Sequence, residues 1–308
     1  MKTLFFSHPS FFKHDTGSGH PESAFRLTAI GKVLRRPAFA GLIQKEAPRA
    51  SMEQVLRVHT ESHVRRVLDL VPRSGLVHLD PDTPLSPGSV EAAFHAAGAV
   101  CGAVDAIMAH EARNAFCGVR PPGHHARPDA AMGFCIFNNI AIAARHAQHT
   151  HSLKKVAIVD FDVHHGNGTQ ETFEKEASVL YASTHQQPWY PGTGAESETG
   201  VGNIFNVGLK AGAGSAAFRE AMSERVLPAV DRFKPELILI SAGFDAHRGD
   251  PLGALNLEEE DFVWITRELM ILADHHCQGR IVSALEGGYD LEALGESVAA
   301  HVGALMQV

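Results

Sequence analysis

Residues 155–169, Lys-Val-Ala-Ile-Val-Asp-Phe-Asp-Val-His-His-Gly-Asn-Gly-Thr, constrain this chain more than any other stretch. They open as an apolar, β-branched run, Val156 to Val159, of the kind that forms a strand buried on both faces. The run then turns polar, with Asp160, Asp162 and His164 at alternate positions. In an extended chain, side chains at i, i+2 and i+4 share one face, so two carboxylates and an imidazole converge just past the strand. Gly166, Asn167 and Gly168 follow and suit a tight turn with positive φ. Open α/β sheets build their sites at the carboxyl ends of strands. The plain alternative is a capping aspartate with solvated loop histidines, but burying this many polar groups without a purpose is costly.

The rest of the chain alternates between the two periodicities. Leu4–Phe6 reads as a strand, 24–35 as a helix, and 52–70 as one helix with Val55, Val58, Val64, Val67 and Leu68 on its apolar face. Pro81, Pro84 and Pro87 make 80–88 irregular. Ser89–Met108, rich in alanine and glycine, is a closely packed helix. Asn114–Val119 is a strand, and an alanine-rich helix runs from Asn138-Asn139 to about His149. Val179–Ser183 and Ile204–Leu209 are strands around a long loop, 186–203, of a length that is often functional. Then come a helix over 215–233, a strand over Leu237–Ile240, a helix over Leu257–His276, a strand over Arg280–Leu285 and a helix over 291–306. There is no repeat, low-complexity tract or linker, so 1–308 is expected to be a single domain. Strands alternating with helices imply an α/β fold with a central, mostly parallel sheet and helices on both faces.

Composition excludes several function classes. A net charge of −8 without a basic cluster argues against a nucleic-acid partner. The four cysteines, Cys101, Cys117, Cys135 and Cys277, have no paired spacing and read as reduced thiols of a cytoplasmic protein. The apolar stretch Leu4–Phe6 is too short for a signal peptide, and no stretch is expected to reach the length of a membrane span.

Four of the apolar strands end in chemistry. They deliver His124 and His125 behind Arg120-Pro121-Pro122-Gly123, Asp162 and His164, Asp245, and Tyr289 after Gly287-Gly288. In a parallel sheet these ends lie along one edge. Asp162, His164 and Asp245 make a two-carboxylate, one-imidazole set, which suits catalytic zinc with an open position and also tolerates iron(II). The histidine pair suits acid–base work near neutral pH. Tyr289 can donate its hydroxyl to a developing oxyanion. Arg26 is either a surface charge or an arginine turned toward a polar site.

These segments resemble the histone deacetylase family. The resemblance rests on Arg120-Pro-Pro-Gly-His-His-Ala126, Gly133-Phe-Cys-Ile-Phe-Asn-Asn139, Asp160-Phe-Asp-Val-His-His-Gly-Asn-Gly-Thr169, Ser241-Ala-Gly-Phe-Asp245 and Leu285-Glu-Gly-Gly-Tyr289. It runs from about His20 to the C-terminus. Asn167 places the chain nearest the class II enzymes and their bacterial amidohydrolase relatives. The resemblance implies an arginase–deacetylase fold and a zinc-dependent amidohydrolase, with Asp162, His164 and Asp245 as the metal ligands. It implies His125 as general base, His124 as its electrostatic partner and Tyr289 as the group that polarises the acyl carbonyl. Asp160 would orient His124, and Asn167 would lie behind His125. A structural potassium ion would use Asp160, Asp162, His164, Ser183 and Thr184. Phe134 and Tyr190 would wall an acyl-lysine tunnel beside Gly133, Asp82 would hold the substrate backbone at the rim, and Arg26 would sit near an inner acetate-exit cavity. Ala24 departs from the proline usual before that arginine.

The expected reaction is removal of an acyl group, acetyl first, from an amine such as a lysine ε-amine. Polyamine-specific relatives often carry a glutamate two residues after a Gly-Asp pair. This chain has Leu252 after Gly249-Asp250, which favours acylated lysine over a small cationic acylated amine. A non-catalytic acyl-lysine-binding protein is the rival of another class. The sequence leaves the oligomeric state open, a homo-oligomer included.

Overall fold

The apolar runs form strands buried on both faces, and polar side chains such as Asp160 and Ser241 fall at or near their carboxyl ends. A computed structural model describes residues 2–307. Eight strands join one sheet: β1 (Thr3–Ser7), β2 (Ile43–Glu46), β5 (Asn114–Cys117), β6 (Val156–Asp160), β7 (Val179–Gln186), β8 (Ile204–Leu209), β9 (Leu237–Ala242) and β10 (Ile281–Leu285). Their order is β2-β1-β5-β10-β9-β6-β7-β8 and every pairing is parallel. The sheet is therefore wholly rather than mostly parallel. Each residue of β5, β6, β9 and β10 is buried, as expected of strands covered on both faces.

Two sets of helices cover the sheet. One contains α4 (Ser89–Met108) and α5 (Asn139–His151), which pack together and against β5, β10, β6 and β9. The other contains α1 (Phe25–Val33), α9 (Glu259–Cys277) and α10 (Leu291–Met306). Contrary to the sequence reading, α4 is long and apolar enough to cross a membrane; it is mostly buried and serves as a core helix. All four cysteines are buried and unpaired.

Several boundaries differ from expectation for identifiable reasons. The helix expected over 52–70 is two, α2 (Met52–Leu56) and α3 (Glu61–Leu70). Thr60 breaks it by capping α3 through its side chain on His63 N while its own N–H donates to Pro128 O. His59 is spent on Arg127 O and Asn138 N. Tertiary hydrogen bonds thus outweigh helical periodicity. Within 80–88, Pro84–Leu85 (β4) pairs with Val77–His78 (β3) in a two-residue antiparallel ladder, Pro84 standing at the strand start where its missing N–H matters least. The helix over 215–233 is continuous but contains a π-helical turn, Met222–Val226, between α7 (Ser215–Ala221) and α8 (Leu227–Phe233). The edge strand β2, too short to show its alternation, escaped the reading.

The turn after the central motif is also different. Asn167 begins a helix, α6 (Asn167–Phe173), and neither Gly166 nor Gly168 has positive φ. These glycines are needed for closeness. A Cβ on Gly166 would stand 2.6 Å from the Tyr181 hydroxyl and nearer still to Asp160 Oδ2, and one on Gly168 would collide with the Ala126 carbonyl.

Candidate active site

The strands that end in chemistry, β5, β10, β9 and β6, are four consecutive neighbours in the sheet. Asp162, His164 and Asp245 therefore meet, with one ligand atom from each within 4.8 Å of the others. His164 Nδ1 lies 3.1 Å from Asp162 Oδ1 and 3.1 Å from Asp245 Oδ2. Backbone donors aim the carboxylates: Gly287 N on Asp162 Oδ2 at 2.8 Å, and Val163 N on Asp245 Oδ1 at 2.8 Å. All three side chains are buried. Burial opposes charge on His164, but the two carboxylates on its Nδ1 outweigh that and hold the imidazole up at about 10. Burial beside the Asp162 charge pushes Asp245 up to about 7. Buried Asp160 and Glu286 add to the same negative field. A cluster this rich in buried carboxylate fits a bound dication, which would neutralise it. Among the described residues, two other Asp–His–His groups have exposed aspartates. In one, His146 and His151 both donate to Asp105 Oδ1, at 2.6 and 2.7 Å, and the Arg57 guanidinium stands 3.4 Å from His146 Nδ1 and opposes a cation.

The histidine pair is split by its surroundings. His124 Nδ1 donates to Asp160 Oδ2 at 3.0 Å, and His125 Nδ1 donates to Asn167 Oδ1 at 2.9 Å. Asp160 Oδ2 also accepts from the Tyr181 hydroxyl at 3.0 Å. Burial pushes the His125 imidazole well below its usual range, and the His124 and His164 rings push the same way. Burial acts on His124 too, but Asp162, Asp160 and Glu286 hold it well above the usual range. Two neighbouring imidazoles whose surroundings drive them to opposite protonation states can divide acid–base work between them.

A channel of about 230 Å³ reaches this cluster, lined by Asp82, His125, Gly133, Phe134, His164, Trp189, Tyr190, Leu252 and Tyr289. Asp82, Gly133, Phe134, Tyr190 and Leu252, the residues expected around the substrate stem, all stand on its wall. Gly133 and Phe134 both have positive φ, 56° and 68°. For phenylalanine that conformation is strained, typically by ~1–3 kcal/mol. A Cβ on Gly133 would stand 2.5 Å from the His125 ring. Tyr190 meets the His125 ring edge-on at 5.2 Å, and Phe134 meets Tyr289 edge-on at 5.8 Å. Of the group expected for potassium, Ser183 is the β7 partner of Asp160, Thr184 follows it, and all five residues are buried.

Arg26 is fully buried but lies behind the channel rather than on its wall. Its donors are spent on Gly288 O at 2.7 Å, Glu286 O at 2.5 Å and Glu22 Oε1 at 3.2 Å. Its guanidinium carbon stands 5.0 Å from the Tyr289 ring centroid. Arg120 shares Glu22 and also donates to Phe11 O at 2.7 Å.

Three features of the site were not read from sequence. Trp189 is on the channel wall, its indole N–H donating to Leu252 O at 2.9 Å; its only signal was a place beside Tyr190 in a long loop. Glu286 accepts from Gly123 N at 2.6 Å, His124 N at 3.1 Å and the Ser241 hydroxyl at 3.1 Å, tying three strand ends together. Asp250 is buried behind Tyr289 and carried no signal beyond its Gly-Asp neighbour pattern.

Known proteins resemble this chain along nearly its whole length. A family model described as histone deacetylase domain matches residues 20–305. The histone deacetylase-like amidohydrolase of Pseudomonas aeruginosa is 41% identical, with 88% of this chain and 73% of that protein covered. A probable deacetylase of Archaeoglobus fulgidus is 39% identical, covering 95% of this chain and 82% of that one. The crystal structure of the HDA15 HD domain matches with a TM-score of 0.91 at 37% identity, covering 99% of this chain and 88% of that chain.

Proposed function

The chain belongs to the histone deacetylase family and is a hydrolase of amide bonds, and from that premise we propose a zinc-dependent deacylase acting on N6-acetyl-lysine in proteins or peptides. The channel carries this reading. At about 230 Å³ it is smaller than an ordinary small-molecule pocket, and it ends at the Asp162–His164–Asp245 group with His125 and Tyr289 beside it. Its aromatic walls suit a methylene stem. Leu252 offers no charge to a polyamine, which favours lysine as the bearer of the acyl group.

Asp162, His164 and Asp245 would hold zinc, and zinc, when bound, supplies Lewis acidity to the amide oxygen and to the attacking water. The chain's own groups supply the rest. Asn167 Oδ1 accepts the Nδ1 proton of His125, so Nε2 keeps its lone pair for the substrate side and takes the proton of the water. His124, charged and held by Asp160, offsets the negative charge that grows as the amide becomes tetrahedral. The Tyr289 hydroxyl donates to the amide oxygen in that state. His125 then returns its proton to the departing amine. Asp82 at the rim is assigned to the substrate backbone, and the Asp160, Ser183 and Thr184 region to a structural potassium ion.

A panel of acetyl-lysine peptide and acetylspermidine, each with and without chelator, tests the function. The peptide should be hydrolysed with the higher kcat/KM, and chelator should abolish turnover until zinc is restored. Tyr289→Phe should keep its metal and lose at least about 100-fold in kcat, the usual cost of one oxyanion donor being ~10²–10³. A preference for acetylspermidine would move the assignment to polyamines, and a chelator-resistant rate would end the metal reading.

A further inference from the structure

The peptide unit between Gly288 and Tyr289 is gripped at both ends by side chains that stand outside the channel. Its carbonyl, on Gly288, accepts from Arg26 Nε at 2.7 Å, and its N–H, on Tyr289, donates to Asp250 Oδ2 at 2.6 Å. Gly288 has φ 125°, in a region that only glycine enters freely, so local chain preference does little to hold this peptide in one orientation. The two side chains do the holding. Asp250 Oδ2 also accepts from Asp290 N at 3.3 Å, while its Oδ1 accepts from Leu252 N at 2.9 Å. Asp250 is itself buried, and its own N–H donates to His247 O at 2.9 Å. Leu252 and Tyr289 are both channel-wall residues, so one carboxylate outside the channel fastens two parts of its wall together.

We propose that Asp250 is a positioning residue, which aims the Tyr289 hydroxyl at the substrate carbonyl and sets its distance from the Leu252 wall. The proposal rests on the reading of Tyr289 as the hydrogen-bond donor to that carbonyl. Its physical basis is the acceptor count. A carboxylate offers acceptors on both oxygens and makes strong charge-assisted bonds to backbone N–H groups. An amide in its place has one oxygen and one NH₂. It can satisfy either the Leu252 side or the Tyr289–Asp290 side, and it sets donor against donor on the other. A reacting group misplaced by ~1 Å can cost about 10²-fold in rate.

The test is a double-mutant cycle of wild type, Asp250→Asn, Tyr289→Phe and the double variant. Each is zinc-loaded, checked for fold and metal content, and assayed on an acetyl-lysine peptide and its trifluoroacetyl analogue. Asp250→Asn should lower kcat on the acetyl peptide about 10- to 100-fold. The activated trifluoroacetyl carbonyl needs less help, so that substrate should lose several-fold less. On the Tyr289→Phe background, Asp250→Asn should add less than about threefold, because the hydroxyl it aims is already gone. Asp250→Ser, which keeps one small acceptor, carries the same expectation if the asparagine variant does not fold. Equal losses in both backgrounds, or a near-normal rate in the single variant, would overturn the proposal. A near-normal rate for Tyr289→Phe alone would instead overturn the role of Tyr289 on which it rests.

Discussion

Lowering the pH from 7 to 5 should destabilise this protein by charging histidines that the folded core keeps neutral, and His301 shows how much one residue contributes. It lies on α10, fully buried, with the Phe116, Phe161 and Phe244 rings 5.6, 6.1 and 5.8 Å from its own. The Thr266 hydroxyl donates to Phe262 O and so accepts from His301 Nδ1 at 2.6 Å; the Ser283 hydroxyl, 2.9 Å from Nε2, supplies the other bond. Both ring nitrogens are thus satisfied by a neutral imidazole, and among the described residues no carboxylate offsets the burial of a charged one. Burial alone pushes the imidazole from 6.5 down to about 3. The unfolded chain takes up the proton near pH 6.5, so between the two values it binds more protons than the folded state. The contribution is whole above pH 6.5 and is lost progressively down to pH 3. At pH 5 the loss is about 2 kcal/mol, a large share of the ~5–15 kcal/mol that holds a typical domain together.

His301→Gln isolates that term, since the amide can still donate and accept but does not titrate. The assay is urea unfolding of zinc-loaded wild type and variant at pH 7, 6 and 5. Acid effects on the metal ligands occur in both proteins and drop out of the difference. Whatever the variant's stability at pH 7, wild type should lose about 2 kcal/mol more than it does by pH 5. With a slope of ~3 kcal/mol/M that is a relative midpoint shift of about 0.7 M urea. Parallel pH dependences would refute the reasoning.

Asp245→Ala should lose bound zinc and activity together, because it removes one of three ligands; metal analysis showing an unchanged zinc content would sink the ligand assignment. Leu252→Glu should raise the ratio of acetylspermidine to acetyl-lysine turnover at least about tenfold, since a carboxylate on the wall attracts a second ammonium at close range; an unmoved ratio in kcat/KM removes Leu252 as the selector. Gly166→Ala should cut activity by more than about tenfold while leaving most of the stability intact, because the added methyl displaces Asp160 and Tyr181 behind His124. A normal rate in that variant would show that the close approach is not needed.

Much of this site was visible before folding because its residues are local in sequence. Asp162 and His164 are neighbours in one motif, His124 and His125 in another, and each motif ends a run that only a buried strand explains. The wall residues Phe134, Tyr190 and Leu252 were visible by family resemblance, while Trp189 was not singled out, because an aromatic in an irregular loop has no periodicity to reveal where it faces. The glycines after the central motif were misread for a related reason. A glycine needed for φ and a glycine needed for closeness look alike in one dimension, and only the position of Tyr181, Asp160 and Ala126 tells them apart.

The chain by itself determined most of the strands and helices, the α/β class and the chemical types that meet at the site. These follow from periodicity, turn residues and the cost of burying polar groups, all of which act over a few residues. Tertiary structure alone decided the sheet order, and with it the fact that β5, β10, β9 and β6 stand side by side. It also decided the break at Thr60, the surroundings that push two adjacent histidines in opposite directions, and the grip of Arg26 and Asp250 on one peptide. Each depends on groups distant in sequence, such as Arg26 with Gly288 or His124 with Asp160. Local propensity carries no information about such partners, because their energy appears only when the sheet brings them within a few ångströms.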